Sequence, residues 1–147
     1  MEGNGVVVIQ NGDSPITPSD LINRCINAAI KKKAATAYIP AFFTTFETDK
    51  NFLKKVFDRK KTGYTCDPQA YEIKILKKAL SFAMKNNIKD KPTVELVRAV
   101  GQSVFLVESD TANVKITTEQ DLKRAEFVLK KRIQEKLAKN KAQAKRG

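Results

Sequence analysis

The chain has 147 residues, 41% of them hydrophobic, so one domain with a single buried core is expected. Its formal net charge is +12 and it contains no histidine, which excludes Ser-His and Cys-His nucleophile systems and the commonest metal ligand. No apolar run is long enough for a membrane span and the N-terminus lacks a signal-peptide pattern, so a cytoplasmic chain is expected.

The first 40 residues are predicted to form two strands and a helix. Val6–Ile9 is a continuous apolar run, typical of a strand buried on both faces of a parallel sheet. Thr17, as an N-cap before Pro18, predicts a helix over 18–33. A second strand over 36–39 follows, and together these elements form a βαβ unit.

Residues 40–66 are predicted to form a β-arm that projects from the sheet. Short alternating runs flank a turn at 48–51, with lysines of the kind found on edge strands. An isolated two-stranded ribbon does not bury so many phenylalanines, which therefore need a cover from the body of the domain or from a second subunit. We favour the second subunit, because contiguous apolar surface on an extended element marks an interface. The phenylalanines are Phe42, Phe43, Phe46, Phe52 and Phe57.

The rest of the chain is predicted to hold three helices and two short strands. Thr118 and Asp121 form a second capping box, so the last helix begins at this point. The elements are helices over 70–87 and 92–101, strands over 104–107 and 114–116, and a final helix from 118. Strands that alternate with helices predict an α/β fold.

The positive charge is concentrated at the C-terminal end. Residues 123–147 hold ten Lys and Arg against two Glu. The last stretch lacks the apolar spacing of a packed helix, so we predict a domain over 1–136 and a basic tail over 137–147. A nucleic-acid binder that uses this tail is one hypothesis, but nucleic acid is not favoured because no aromatic residues lie between the tail's basic ones.

The candidate chemical residues are few. Neither G-x-x-x-x-G-K-[ST] nor G-x-G-x-x-G occurs, so neither familiar phosphate loop is present. Residues 11–15 follow the first strand at the edge where α/β sheets bind ligands, and Asp13 is either a Mg²⁺ ligand or part of an ordinary polar turn. Lys115 is either an edge residue of a short strand or a phosphate contact. These residues alone do not suffice for catalysis.

Five strings of residues occur in a fixed order along the chain. They are VIQNGDSP at 8–15, DR at 58–59, DPQAY at 67–71, LVES at 106–109 and NVKITTEQDL at 113–122. These strings are similar to V-H-D-A-x-R-P, D-R, T-P-Q-x-F, L-V-E-G-S and N-I-K-V-T-T-P-E-D-L of the methylerythritol-phosphate and ribitol-phosphate cytidylyltransferase family. The resemblance covers about residues 5–129.

This resemblance implies a fold, a reaction and two contact residues. The fold is a partial nucleotidyltransferase, Rossmann-like α/β sheet with flanking helices and the arm. The reaction is transfer of CMP from CTP to a polyol phosphate such as methylerythritol 4-phosphate with Mg²⁺, in a homodimer whose arm reaches into the neighbouring subunit. Lys115 matches the lysine that contacts the substrate phosphate, and Arg59 matches an arm arginine that contacts it from the other subunit.

Departures from the family pattern point to lost activity. Asn11 and Ser14 stand where the family has a metal-binding Asp and an Arg, so one carboxylate and one positive charge are absent. Asp67 replaces the Thr of T-P-Q. The family's first half, with its glycine-rich CTP loop, has no counterpart in these residues.

We therefore expect a truncated or degenerate cytidylyltransferase-like domain that is inactive alone. Its nucleotide half would come from another polypeptide or from an upstream reading frame. One alternative is a non-enzymatic module that dimerises through the Phe-rich arm. The other is the nucleic-acid binder that uses the basic tail.

Overall fold

The computed structural model describes residues 5–113 and 115–144. The strands are β1 (Val6–Ile9), β2 (Ala34–Pro40), β3 (Phe46–Asp49), β4 (Phe52–Val56), β5 (Gly63–Glu72) and β6 (Phe105–Glu108). The helices are α1 (Ser19–Lys32), α2 (Ile73–Lys85), α3 (Thr93–Ala99) and α4 (Glu119–Ala144), with a short 3₁₀ turn at Arg59–Lys61. Within the described ranges, no helix is long and apolar enough to cross a bilayer.

The main sheet is mixed, with strand order β1-β5-β2-β6. Strand β5 runs antiparallel to both β1 and β2, whereas β2 and β6 are parallel. The predicted α/β class is confirmed. Strands β1 and β2 run parallel, as a βαβ unit requires, but β5 lies between them. The prediction that β1 is buried on both faces is wrong, because β1 is an edge strand whose residues are only half-buried.

Helices cover both faces of this sheet. Helix α1 packs on one face, where its buried residues meet alternate residues of β2. Helices α2 and α3 pack on the opposite face. Ala34 and Ala35 point to opposite faces, as the two-residue period of a strand requires, and both are fully buried. The small alanines of β2 therefore let helices approach the centre of the sheet from both sides.

Helix α1 does not begin with the predicted threonine cap. Pro18 occupies the N-cap position and no side chain caps the helix. The Thr17 hydroxyl instead lies 3.1 Å from the Ser14 carbonyl oxygen and 3.0 Å from Asn113 Oδ1. The prediction is wrong because the loops on either side of Thr17 engage its hydroxyl.

Strand β5 lies in the interior of the sheet and was not predicted from the sequence, which indicated an arm up to residue 66 and a helix from residue 70. Helix α2 begins only at Ile73. The β2–β5 ladder passes from the pair Thr36–Gln69 to the pair Ala37–Cys66, so two β5 residues lie outside it. These residues are Asp67 and Pro68. The resulting bulge aims Asp67 away from the regular ladder.

The β-arm contains a two-stranded antiparallel hairpin of β3 and β4. Every residue of both strands is exposed, including Phe52, whose exposed fraction is 78%. Phe43, just before the hairpin, is 70% exposed. The body of the domain therefore does not cover the phenylalanines of the arm, which excludes one of the two predicted covers.

Helix α4 begins with the predicted capping box. The Asp121 N–H donates to Thr118 Oγ1 at 3.2 Å, and Asp121 Oδ2 accepts from the Thr118 N–H at 2.9 Å. Hydrogen bonds from the side chains and backbone of Thr118 and Thr117 lower the pKa of the Asp121 carboxyl to about 2. The helix continues, fully exposed, through residues 137–144, while 145–147 lie outside the described residues.

The predicted strand over 114–116 is not found where it can be checked. Val114 lies outside the described residues, and Lys115 and Ile116 adopt no strand geometry. The Ile116 N–H donates instead to the Asp13 carbonyl oxygen at 2.8 Å. This segment is therefore a loop that is tied to the loop after β1.

Candidate functional site

A cavity of about 410 Å³ lies near the carboxyl ends of β1 and β2. Ligands of open α/β sheets bind at this edge. Its aromatic and apolar walls include Ile39, Phe42 and Tyr64. Its polar lining includes Asn11, Ser14, Asp67, Asn113, Lys115 and Arg124. The strings at 8–15, 67–71 and 113–122 therefore all contribute residues to this cavity.

Asp67 is the buried carboxylate of this cavity, with an exposed fraction of 5%. Its Oδ2 accepts from the Ser14 hydroxyl at 2.8 Å and from the Asn11 backbone N–H at 3.3 Å. Its Oδ1 accepts from Asn11 Nδ2 at 3.3 Å. These bonds satisfy the buried charge with neutral donors and attach the loop after β1 to the bulge in β5.

The side chains at positions 11 and 67 both differ from the resembled motifs and lie next to each other. Relative to the resembled motifs, the chain has an amide in place of an Asp at Asn11 and a carboxylate in place of a Thr at Asp67. Because these two side chains are hydrogen-bonded, one negative charge stays at this edge of the sheet. Sequence reasoning noted the substitution at 67 but gave it no role. The signal was the acidic residue within an otherwise matching string.

Lys115 lines the cavity and forms an ion pair with Asp13. The distance from Lys115 Nζ to Asp13 Oδ2 is 3.0 Å, and both side chains are about half exposed. Asp13 Oδ1 is inaccessible to solvent and has no hydrogen-bond partner among the residues that the structure describes. Of the two interpretations of Lys115, the edge-strand one is wrong, since the residue lies in a loop at the cavity wall.

Asn113 and Arg124 hold the loop that precedes Lys115. Asn113 is buried, and its Nδ2 donates to the backbone oxygen of Asp67. Arg124 on α4 donates to the Thr111 backbone oxygen at 3.2 Å. The segment before Lys115 is therefore fixed to β5 on one side and to α4 on the other.

Arg59, the other predicted phosphate contact, lines a different cavity of about 470 Å³. Its guanidinium lies 3.5 Å from the Phe42 backbone oxygen. Tyr64 and Thr65 line both cavities, so the two adjoin. Within one chain, therefore, the structure does not bring Arg59 and Lys115 into a single cavity.

The two cysteines are free and are not built as nucleophiles. Burial raises the pKa of the Cys66 thiol, which lines the cavity. Burial also raises the pKa of Cys25, to about 11. Both are therefore protonated near neutral pH.

The cavity offers oxygen ligands for a cation but no closed metal cage. Across residues 5–113 and 115–144, no group of three or more His, Cys, Asp or Glu is placed to hold a metal ion. The Asp67 carboxylate lies beside the Asn11 side chain, whose Nδ2 donates to Asp67 Oδ1. Mg²⁺ is usually held by one or two carboxylates together with substrate phosphates. Asp67 is the one carboxylate among the described residues that line this cavity.

Known cytidylyltransferases are similar to this chain in sequence. The family model described as IspD, 2-C-methyl-D-erythritol 4-phosphate cytidylyltransferase, matches residues 1–131. The protein of that name from Shouchella clausii (strain KSM-K16) is 33% identical over 132 residues, covering 90% of this chain and 58% of the relative. The one from Caldanaerobacter subterraneus subsp. tengcongensis is 34% identical over 127 residues, covering 86% and 56%.

Solved structures agree with the sequence comparison. The crystal structure of 2-C-methyl-D-erythritol 4-phosphate cytidylyltransferase from Thermus thermophilus matches with a TM-score of 0.76 at 26% identity, covering 86% of this chain and 62% of that chain. The chain spans less than two thirds of the length of these relatives. Its match along residues 1–131 nevertheless establishes that the chain belongs to the 2-C-methyl-D-erythritol 4-phosphate cytidylyltransferase (IspD) family.

Proposed function

We propose that this chain binds the polyol phosphate of a cytidylyltransferase reaction and does not transfer CMP by itself. The reaction is transfer of CMP from CTP to 2-C-methyl-D-erythritol 4-phosphate, named in the relatives. The observation that carries the proposal is the cavity in which Lys115 stands beside amide and hydroxyl side chains. A cation suits a phosphate group, and neutral donors and acceptors suit the hydroxyls of a polyol.

The residues of this cavity have separate roles in the proposal. Lys115 contributes a positive charge to the substrate phosphate. Asn11, Ser14 and Asp67, which are hydrogen-bonded to one another, present amide, hydroxyl and carboxylate groups to the polyol. Ser14 carries no charge, so the chain offers less positive charge here than the family motif does. This supports binding of substrate with weakened catalytic capacity.

Transfer of a nucleotidyl group needs more than this cavity. Catalysis of phosphoryl-type transfer depends on positioning and on neutralising the charge of the triphosphate. The 147 residues hold no glycine-rich phosphate loop. The proposed cavity therefore accounts for the polyol phosphate and not for the triphosphate.

Mg²⁺ is part of the proposal only for the complete enzyme. Asp67 and Asn11 would hold it together with the substrate phosphates. When bound, the metal neutralises phosphate charge and thereby supports the transfer step.

The arm is proposed to pair two copies of the chain. Its phenylalanines are exposed to solvent in the single chain. Burial of such apolar surface against a second copy stabilises a homodimer. Dimerisation would also supply Arg59 from the second copy to the cavity that holds Lys115. The second candidate function, a dimerising module without enzymatic activity, rests on this exposed arm alone.

Calorimetric titration with 2-C-methyl-D-erythritol 4-phosphate tests the proposal. Lys115→Met should weaken binding by about tenfold or more, because a charge-assisted hydrogen bond contributes about 1.5–3 kcal/mol. Lys123→Met is the matched control, since Lys123 lies on α4, exposed and paired with Glu119. No pyrophosphate should be released from CTP by this chain alone.

Two results would contradict the proposal. Equal affinity of the wild type and Lys115→Met would remove Lys115 from the site. Substrate-dependent pyrophosphate release by the isolated chain would show that it transfers CMP unaided. A chain that dimerises but shows no affinity for the polyol phosphate would favour the dimerising module.

A further inference from the structure

We propose that Asp13 competes with the substrate phosphate for Lys115, so that binding has to open the Asp13–Lys115 ion pair. The inference rests on the proposed function, since it concerns the same lysine. Asp13 falls at the variable position of the H-D-A-x-R-P string, and its role is not implied by the resemblance. The observation is the 3.0 Å contact between Lys115 Nζ and Asp13 Oδ2 at the wall of the cavity.

The Asp13–Lys115 ion pair is weak enough for a phosphate to replace the Asp13 carboxylate as the partner of Lys115. It is a single contact between half-exposed side chains, and such pairs stabilise a fold only slightly. Asp13 Oδ1 is shut off from solvent and accepts no hydrogen bond from residues 5–113 or 115–144, so these surroundings do not satisfy the carboxylate fully. A phosphate monoester carries more charge and more acceptor oxygens than this carboxylate, so Lys115 gains by the exchange.

The loop that carries Asp13 does not depend on the ion pair for its shape. The Asp13 backbone oxygen accepts from the Ile116 N–H at 2.8 Å. Next to it, the Ser14 N–H donates to the Asn11 backbone oxygen, and the Ser14 hydroxyl donates to Asp67. The Asp13 carboxylate is therefore dispensable for the fold of the loop. Its effect on the site is electrostatic.

The sign of that effect follows from charge. While Asp13 holds Lys115, part of the lysine's attraction for an anion is cancelled, and an incoming phosphate also meets a neighbouring negative charge. Removal of the carboxylate frees the ammonium group and removes the repulsion. For half-exposed groups in water, the two effects together strengthen phosphate binding by roughly five- to tenfold.

The test compares the affinity of five forms of the chain, Lys115→Met among them, for 2-C-methyl-D-erythritol 4-phosphate by calorimetry. Asp13→Asn keeps the side-chain shape and should bind about five- to tenfold more tightly than the wild type. Asp20→Asn is the matched control, because it removes the same charge from an exposed ion pair with Arg24 on α1 and should change affinity less than twofold. In the Asp13→Asn/Lys115→Met double variant the gain should vanish.

The outcomes separate the inference from the proposed function. The inference alone is overturned if wild-type binding depends on Lys115 but Asp13→Asn binds no more tightly than the wild type. Weaker binding by Asp13→Asn would make Asp13 a residue that positions the lysine. The proposed function and the inference are both overturned if Lys115→Met does not change the affinity. They are also overturned if neither the wild type nor Asp13→Asn binds the compound. Melting curves of Asp13→Asn should match those of the wild type. A large loss of melting temperature would overturn the claim that the loop does not need the carboxylate.

Discussion

Replacing Asp67 with alanine removes the acceptor that attaches the loop after β1 to the bulge in β5. The short bond from the Ser14 hydroxyl, at 2.8 Å, goes to a charged and buried acceptor. Bonds of that kind contribute about 1.5–3 kcal/mol. The two bonds from Asn11, at 3.3 Å, are longer and weaker, and their donors lose a partner. We therefore expect Asp67→Ala to lower the free energy of unfolding by about 3 kcal/mol.

The assay is urea unfolding followed by far-UV circular dichroism, with linear extrapolation to water. Ser14→Ala and the Ser14→Ala/Asp67→Ala double variant complete a mutant cycle, whose coupling energy should be about 1.5 kcal/mol or more. Asp20→Ala is the control, because its exposed ion pair with Arg24 should contribute less than about 1 kcal/mol.

Two results would refute this reasoning. If Asp67→Ala cost no more than Asp20→Ala, the buried carboxylate would not hold the loop. A coupling energy near zero between Ser14 and Asp67 would show that each residue acts independently of the hydrogen bond that joins them.

Three further predictions follow. The Asp121 carboxyl, whose pKa is lowered to about 2, should stabilise α4 fully above about pH 4 and lose that contribution as the pH falls through this folded pKa. The difference in unfolding free energy between the wild type and Asp121→Ala should therefore shrink over this pH range. A constant difference would contradict the prediction. In light scattering the wild type should have the mass of a dimer, and the Phe43→Ser/Phe52→Ser variant should have the mass of a monomer. Met84→Ser is the control, because Met84 on α2 is also largely exposed. A monomeric wild type would count against the arm as an interface. Iodoacetamide should alkylate Cys66 more slowly than free cysteine near pH 8, and more slowly still when 2-C-methyl-D-erythritol 4-phosphate is bound; a rate equal to that of free cysteine would refute the raised pKa.

The helices are the part of the fold that local sequence patterns predict well. The apolar spacing of α1 and α2 and the reciprocal bonds of Thr118 and Asp121 involve residues three or four apart. Such patterns contain most of the information that a helix needs. Such local patterns did not predict the contacts of Thr17, because its hydroxyl lies beside Asn113, which is 96 positions away in the sequence.

Strand β5 could not be predicted in this way. It pairs with β1 and β2, which lie far away in sequence, and its own residues include a glycine, an aspartate and a proline. These residue types are rare in central strands. The pairing partners, rather than the local sequence, make this segment a strand. The order of the sheet and the edge position of β1 depend on the same pairing.

The sequence singled out some of the residues that line the cavity, but it did not show their contacts. Asn11, Ser14 and Lys115 were singled out from matched strings, and all three line one cavity. The contacts of Asp67 could not be predicted, because only the fold shows that its carboxylate accepts from the side chains of Asn11 and Ser14. The Asp13–Lys115 pair likewise joins residues about a hundred positions apart.

The central claim is that the cavity containing Asp67 and Lys115 is the polyol-phosphate site. The most direct measurement is a titration of ¹⁵N-labelled chain with 2-C-methyl-D-erythritol 4-phosphate, followed by amide chemical shifts in two-dimensional NMR. If the substrate binds there, the largest shifts fall in residues 11–14, 66–69 and 111–116. Shifts centred on residues 59–63 in the Arg59 cavity, or no shifts at all, would contradict it.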